Sequence, residues 1–335
     1  MLTTVGNWRV AGCPHLVLGR SPWVFKSGRR VLSKVLAIVG PTASGKSQLA
    51  LDLASELGKI GGPVEIINGD AMQLYKGMDI GTAKLPEVAR QQFPHHLFDV
   101  LSPSDEMSAL QYQEIARSKV LEIQARGNIA VFVGGSMFYI SAALDGLDFS
   151  PTDPDLRARL EAECELVGAL AMHTRLGMLD PVTAAKIPSQ NKRRVIRALE
   201  VIEITGNPYP STLPEQAFWV PTIEIGISVE RDVLKQRIGK RVHQMWEEGL
   251  VDEVSGLLAT TPLSRTAKRA IGYDQAIRQL MGELSQDQAI EGTIALTNRY
   301  ARRQMSWFRR DRRIHWLDDG PGLVDRALQV IRLSV

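Results

Sequence analysis

The chain has 335 residues, 44% hydrophobic and 23% charged, with a net charge of +3. This is ordinary globular composition with room for about two domains, and no apolar run approaches the roughly 18 residues of a membrane span. Cys13 and Cys164 lack metal-ligand spacing, so a cysteine metal site and a disulfide framework are excluded and a reducing cytoplasm is the expected compartment.

Along the chain, residues 1–34 come first, with Arg9, Arg20, Lys26, Arg29, Arg30 and Lys34 and no Asp or Glu. The stretch has no continuous apolar core of a secretory signal, so 1–33 is expected to be a basic, disordered leader that the fold does not need. Next, "VLAIV" (35–39) is a β-branched run that predicts a buried parallel strand. "SQLALDLASELG" predicts a helix, with Leu49, Leu53 and Leu57 four apart and Gly58 as its stop. "VEIIN" (64–68) predicts a second strand with Asp70 directly off its end. Ser108 and Gln111 have capping-box spacing and open a helix to about Arg126. "IAVFV" (129–133) predicts a third strand, running into Gly134-Gly135-Ser136.

After Phe149 the texture changes. "SPTDPD" is a linker, about 155–206 is wholly helical, and "TIEIGISV" (222–229) returns as a strand. From Glu230 to about Arg310 the pattern is helical. The expected divisions are a leader 1–33, an α/β core 34–148, a helical insertion 149–218, a returning strand with helices 219–318, and a tail 319–335. Alternating strands and helices imply a doubly wound parallel sheet with ligands beyond the carboxyl ends of its strands.

The chemistry begins at Gly40-Pro41-Thr42-Ala43-Ser44-Gly45-Lys46-Ser47, which fits G-x-x-x-x-G-K-[ST] between a strand and a helix. Backbone N–H groups and a helix N-terminus there cradle a diphosphate, Lys46 neutralises its oxygens and Ser47 can hold Mg²⁺. The fold class is therefore P-loop NTPase-like, with a helical insertion and a helical C-terminal region. "IAVFV" ends in glycines where a switch or motor ATPase carries its metal-holding aspartate. Asp70 takes the opposite place, able to remove a proton from a nucleophile facing the diphosphate. Gln73, Tyr75 and Lys76 follow it as candidate bonds to a planar polar ligand. A small-molecule kinase fits these residues as well.

"RYARRQMSWFRRDRR" sets Arg299, Arg302, Arg303, Arg309, Arg310, Arg312 and Arg313 among Tyr300, Trp307 and Phe308. Lys192, Arg193, Arg194 and Arg197 form a second basic cluster, and Lys268-Arg269 a third. Such clusters beside aromatic side chains suit phosphate contacts to a folded RNA and stacking on its unpaired bases. His95-His96 is not expected to chelate a metal, and Met245 and Trp246 are expected in the core.

Seven stretches in order, "GPTASGKS", "NGDAMQLYKGMDIGTAK", "PHHLFDVLSP", "VGGSMFYISAALDGL", "NKRRVIRALEV", "KRAIGYDQ" and "RRQMSWFRR", resemble the tRNA dimethylallyltransferase (tRNA isopentenyltransferase) family over about residues 34–316. The resemblance implies that the loop holds dimethylallyl diphosphate rather than ATP. It makes Asp70 the general base at the exocyclic amine of an adenosine 3′ of the anticodon, with Arg241 and Thr42 at the diphosphate. It places contacts to the tRNA anticodon stem-loop at Asp70, Ala71, Met72, Gln73, Ser136, Arg193, Arg194, Arg197, Lys268, Arg269, Gly272, Tyr273, Arg302 and Arg303. Mg²⁺ is the implied cofactor, and a cytoplasmic monomer of bacterial type is expected. Ser47 and Ser136 stand where many relatives carry threonine, and Asn68-Gly69 where others carry Ser-Ala or Ser-Val. The neighbouring readings are an adenylate isopentenyltransferase, a P-loop kinase and a non-catalytic RNA-binding protein.

Overall fold

The computed structural model describes residues 23–26, 29–32, 35–147, 149–210 and 217–334. Cys13, Arg9, Arg20 and Lys34 lie outside them. Inside the stretch expected to be a disordered leader, β1 (Trp23–Lys26) and β2 (Arg29–Leu32) pair antiparallel, Val24 opposite Val31.

From there the order is β3 (Val35–Val39), α1 (Lys46–Ile60), β4 (Val64–Asn68), a 3₁₀ turn at Met72–Leu74, α2 (Glu87–Gln91), β5 (His95–His96), α3 (Ala109–Ala125), β6 (Ile129–Gly134) and α4 (Met137–Leu144). Helices α5 (Pro154–Val167), α6 (Ala169–Leu179), α7 (Pro181–Lys186) and α8 (Lys192–Thr205) follow. Then come β7 (Thr222–Ser228), α9 (Arg231–Glu247), α10 (Leu250–Thr260), α11 (Arg265–Lys268), α12 (Tyr273–Leu280), α13 (Gln286–Phe308), β8 (Ile314–Asp318) and α14 (Leu323–Leu333). None of the described helices is long and apolar enough to cross a membrane.

The chain divides into two compact units. The first comprises residues 1–107, 114–140 and 220–335. Its sheet has six parallel strands in the order β5-β4-β6-β3-β7-β8. Strand β3 sits in the middle, and all five of its residues are buried. That is why it reads as an unbroken apolar run: helices cover both faces of a parallel sheet. Leu49, Leu53 and Leu57 of α1 pack into the same core as Ala327, Leu328 and Ile331 of α14. The chain leaves β3, passes over the position β6 will fill, and pairs β4 on the far side. The loops after β3, β4 and β6 therefore open side by side, the arrangement that makes a ligand crevice at strand ends.

Other elements also fall outside the sequence expectations. β5 has two residues and β8 is an edge strand with exposed His315. Residues 319–335, expected as a tail, carry α14, whose Ala327 and Ile331 are fully buried.

The second unit comprises residues 108–113 and 141–219. Its core is Leu160, Cys164, Met172, Leu176, Val195 and Leu199, and Cys164 is a free thiol. The capping box at Ser108 and Gln111 forms as expected, with reciprocal bonds of 2.8 and 3.2 Å. Glu200 is the unit's polar centre. Its carboxylate accepts from the Thr152 hydroxyl (2.8 Å), the Asp153 N–H (2.9 Å), Arg157 (2.7 Å) and Arg197 (2.8 Å). Burial works against its charge, but these donors prevail and hold its pKa at about 2.

Removing one side of a buried ion pair costs about 3–5 kcal/mol. Glu200→Ala is therefore expected to destabilise this unit by that amount, measurable as earlier loss of protection of α5 and α8 in hydrogen exchange. Because the folded pKa is depressed, the contribution of Glu200 is complete above its ordinary value of 4.5 and fades as pH falls toward 2.

Candidate active site

The diphosphate loop takes its shape from backbone that few residues adopt. Gly40 has φ 144°, Ala43 62° and Gly45 89°. The chain thus turns tightly off β3 and enters α1 with its first N–H groups facing the crevice and no side chain capping them. Lys46 folds back to donate to the Pro41 carbonyl at 2.6 Å. Burial lowers its pKa to about 8, with Asp70 opposing that shift and Arg241 adding to it. Arg241, from α9, reaches over the loop so that its guanidinium lies 3.4 Å from the Thr42 hydroxyl. Its pKa is also lowered by burial and held up by Asp70.

Asp70 is fixed by its neighbours in sequence and across the sheet. Asn68 accepts the Asp70 N–H at 2.9 Å while its own amide donates to the carbonyls of Asp70 (3.0 Å) and Leu97 (2.9 Å). Oδ1 of Asp70 accepts the Met72 N–H at 2.9 Å, and the Ala71 N–H is accepted by the Ser136 hydroxyl at 2.8 Å. This works only because Gly69 and Gly134 touch backbone to backbone: a Cβ on Gly134 would fall 2.2 Å from the Gly69 carbonyl. Burial raises the pKa of Asp70, and the Met72 N–H and Lys46 oppose the rise. A carboxylate of raised pKa facing two cations is a proton acceptor poised beside an anion site.

Between these groups lies a cavity of about 240 Å³. It is lined by residues 42–47 of the phosphate loop with Asp70, Gln73, His95, Arg241 and Gln304, and by the apolar side chains of Ile66, Leu85, Phe98 and Val133. Residues 42–47 of the loop line the cavity, Ser47 in the first turn of α1; Gly40 and Pro41 precede them off β3. β6 runs into Gly135-Ser136, and Glu230 caps α9 by accepting the N–H groups of Asp232 and Val233 (3.0 and 2.9 Å). No carboxylate follows β6 in the manner of a switch ATPase. Among the described residues no cluster of His, Cys, Asp or Glu could hold a metal ion by itself.

Two residues of α13 complete the site: Gln304, for which the sequence suggests no role, and Tyr300, expected instead to stack on RNA bases. Gln304 of α13, 1% exposed, accepts the Thr42 N–H at 2.9 Å and donates to the Gly135 carbonyl at 2.8 Å. One turn earlier, burial pushes the Tyr300 phenol up to about 12, where it also feels Asp70 and bonds Ser136 and Gln304. Both lie in "RYARRQ", where the density of arginines draws attention from the residues between them.

Several expected ligand contacts prove to be internal. Tyr75 is 2% exposed with its hydroxyl on the Asp105 carbonyl (3.2 Å), so it does not face a ligand. Gln73 lines the cavity, but its amide donates to the Thr82 carbonyl at 3.0 Å. Tyr273 is fully buried and its hydroxyl donates to Glu253 at 2.5 Å. Glu253 also accepts the N–H groups of Asp79 and Ile80 (3.0 and 2.8 Å), so Tyr273 shapes the 79–81 loop from within. Gly272, at φ 94°, caps α12, and its N–H is held by Gln275. The Arg197 guanidinium is spent on Glu200 and the carbonyls of Ser150 and Pro151.

Ala71 and Met72 are half-buried beside Asp70, and Ser136 is nearly covered. Arg193 and Arg194 of the second unit, and Lys268, Arg269, Arg299, Arg302 and Arg303 of the first, are exposed. His96 pairs with Glu65 at 2.6 Å, while His95 bonds the Phe93 carbonyl at 2.7 Å through Nδ1 and lines the cavity, its buried Nε2 without a hydrogen-bond partner among the described residues. Trp246 is core, as expected.

The family model for IPP transferase matches residues 73–311. The chain is 52% identical to the tRNA dimethylallyltransferase of Thermobifida fusca over 302 residues, 90% of this chain and 95% of that one. It is 48% identical to the tRNA dimethylallyltransferase of Kineococcus radiotolerans, covering 89% and 96%. The crystal structure of the tRNA isopentenylpyrophosphate transferase of Bacillus halodurans superposes with a TM-score of 0.65 at 37% identity, covering 90% of this chain and 98% of that one. A eukaryotic dimethylallyltransferase captured acting on tRNA gives 0.71 at 26% identity, covering 85% and 74%.

Proposed function

This chain belongs to the IPP transferase family, and on that footing we propose that it transfers a dimethylallyl group from dimethylallyl diphosphate to the exocyclic N6 of the adenosine 3′ of the anticodon in tRNA. The observation that carries the reading is Asp70 interacting with Lys46 and Arg241 at a cavity lined by both polar and apolar side chains. A hydrocarbon chain suits the wall of Ile66, Leu85, Phe98 and Val133, and a diphosphate suits the loop.

In the reaction the N6 lone pair attacks the allylic carbon, the carbon–oxygen bond breaks, and its electron pair leaves on diphosphate. Charge grows on that leaving group as the bond stretches. The loop N–H groups, Lys46 and Arg241 stabilise it where it develops. N6 is a weak nucleophile because its lone pair is shared with the ring; Asp70 takes its proton as the new bond forms. The target base reaches Asp70 only by leaving its stack.

Ser47 lines the cavity and fits a Mg²⁺ ion, which it would hold through its hydroxyl together with the bound diphosphate. Such an ion adds charge neutralisation at the leaving group.

The test is transfer of labelled dimethylallyl from its diphosphate, offered separately tRNA, AMP, and ATP with small acceptors. Label entering tRNA is expected. Label entering AMP alone, or ATP consumption with no transfer, would overturn the assignment. Arg302 and Arg303 are exposed on α13, so replacing both with alanine is expected to weaken tRNA binding. It should also lower the slope of log K against log salt by about 1.4–1.8, the release of two counterions.

A further inference from the structure

Helix α13 presents two faces of different chemistry. Arg299, Arg302 and Arg303 are exposed, while Gln304 is buried with both ends of its carboxamide engaged. Its oxygen takes the N–H of Thr42, and its nitrogen gives to the carbonyl of Gly135 (2.9 and 2.8 Å). The seat is tight, since a Cβ on Gly135 would lie 2.3 Å from that nitrogen and 3.0 Å from the Gly40 carbonyl.

Each bonded neighbour stands next to reacting machinery. Thr42 belongs to the diphosphate loop and meets Arg241 through its hydroxyl. Gly135 precedes Ser136, whose hydroxyl takes the N–H beside Asp70. Gln304 is thus a brace between the side of the cavity that receives the diphosphate and the side that removes the proton. Only a carboxamide supplies an acceptor and a donor in this plane at neutral pH. Methionine of similar size supplies no donor and only a weak acceptor, and an ionised glutamate supplies only the acceptor.

We propose that Gln304 is a positioning residue of the transfer reaction, locking the diphosphate loop to the Gly134-Gly135 turn and so fixing the distance between the leaving group and Asp70. This rests on the function proposed above. It predicts a loss in the chemical step rather than in substrate binding, because a displacement of about 1 Å in reacting groups costs about 10²-fold.

The experiment compares wild type with Gln304→Met and Gln304→Glu. For Gln304→Met, kcat for prenyl transfer to tRNA is expected to fall 10- to 100-fold, with KM for both substrates within threefold. For Gln304→Glu, inorganic pyrophosphate binding relative to wild type is expected to be weak at pH 8. It should recover at least fivefold at pH 6, because a protonated carboxyl again offers one donor and one acceptor and no longer repels the anion.

A methionine variant with wild-type kcat overturns the proposal. So does a glutamate variant whose affinity relative to wild type is the same at both pH values, and this second arm decides if the methionine variant does not fold. Absence of transfer by the wild-type chain would instead fault the functional reading and leave the pyrophosphate comparison standing by itself.

Discussion

Replacing Asp70 with asparagine is expected to lower kcat about 10²–10⁴-fold, the usual worth of a general base, while tRNA and diphosphate affinities stay within a few fold. Asparagine is the informative variant because its side-chain oxygen can still accept the Met72 N–H that Asp70 accepts at 2.9 Å. The local turn is kept and the proton acceptor is lost. Single-turnover transfer with saturating tRNA measures the effect directly, and near-normal turnover would show that the proton leaves by another route.

The pH profile carries a second signature of the same change. Asp70 must be ionised to act, so wild-type kcat/KM rises with pH through its raised pKa. Lys46 must be protonated to meet the diphosphate, so kcat/KM falls again as pH passes about 8. In Asp70→Asn the acid limb should vanish. The alkaline limb should move to lower pH, because the carboxylate that raises the Lys46 pKa is gone.

Gly134→Ala is the other change with a large expected effect. The added Cβ would meet the carbonyl and Cα of Gly69 at 2.2 and 2.5 Å. Those atoms are backbone, so no rotamer change relieves the contact. β4 and β6 must separate where Asn68 faces Val133. Overpacking of this kind costs about 1–3 kcal/mol, and the displaced groups are Asp70 on one side and Ser136 on the other. A loss of about 10² in kcat is expected from misplacement alone, together with a lower Tm. Gly58→Ala is the matched control: nothing lies within 4 Å of its added Cβ, and although the sequence reads it as the helix stop it sits inside α1, which runs to Ile60 and is capped by Gly61. A helix-interior glycine replaced by alanine gains about 0.5–1 kcal/mol. If both variants behave alike, the Gly69–Gly134 contact has no special role.

How much of this was legible beforehand depends on the range over which each feature is encoded. β3, β4, β6 and the diphosphate loop are contiguous patterns, and the chain alone locates them. The place of Asp70 after a strand is legible too, but a lone aspartate there is more often a helix cap, and its role as a base came with the family resemblance. Arg241 is 199 positions from Thr42, and no periodicity ties them; the family resemblance supplied it. Gln304 lies inside "RRQMSWFRR", one of the stretches that carry the resemblance, but the resemblance gave it no role, and a neutral side chain among arginines carries no pattern of its own.

Tyr75 and Tyr273 misled for the opposite reason. A tyrosine in a motif reads as a ligand contact, yet here burial and a ready acceptor inside the protein claimed both hydroxyls. The edge elements failed on length: β5 has two residues, and β8 is followed by Asp-Gly-Pro-Gly, which reads as the end of a domain. Beyond those residues α14 shows ordinary amphipathic spacing. The hairpin of β1 and β2 was hidden by its basic composition.

The bond between Thr42 and Gln304 joins positions 262 residues apart. During synthesis at about 5–20 residues per second, the diphosphate loop therefore precedes its brace by roughly 13–52 s. A nascent chain that has made β3, β4 and β6 holds the three strand ends of the crevice without Arg241 and without Gln304. Any product terminated before α13 would keep a recognisable phosphate motif and have no assembled site. Competence to transfer is thus acquired late, when the helix that also carries the exposed arginines closes against the loop.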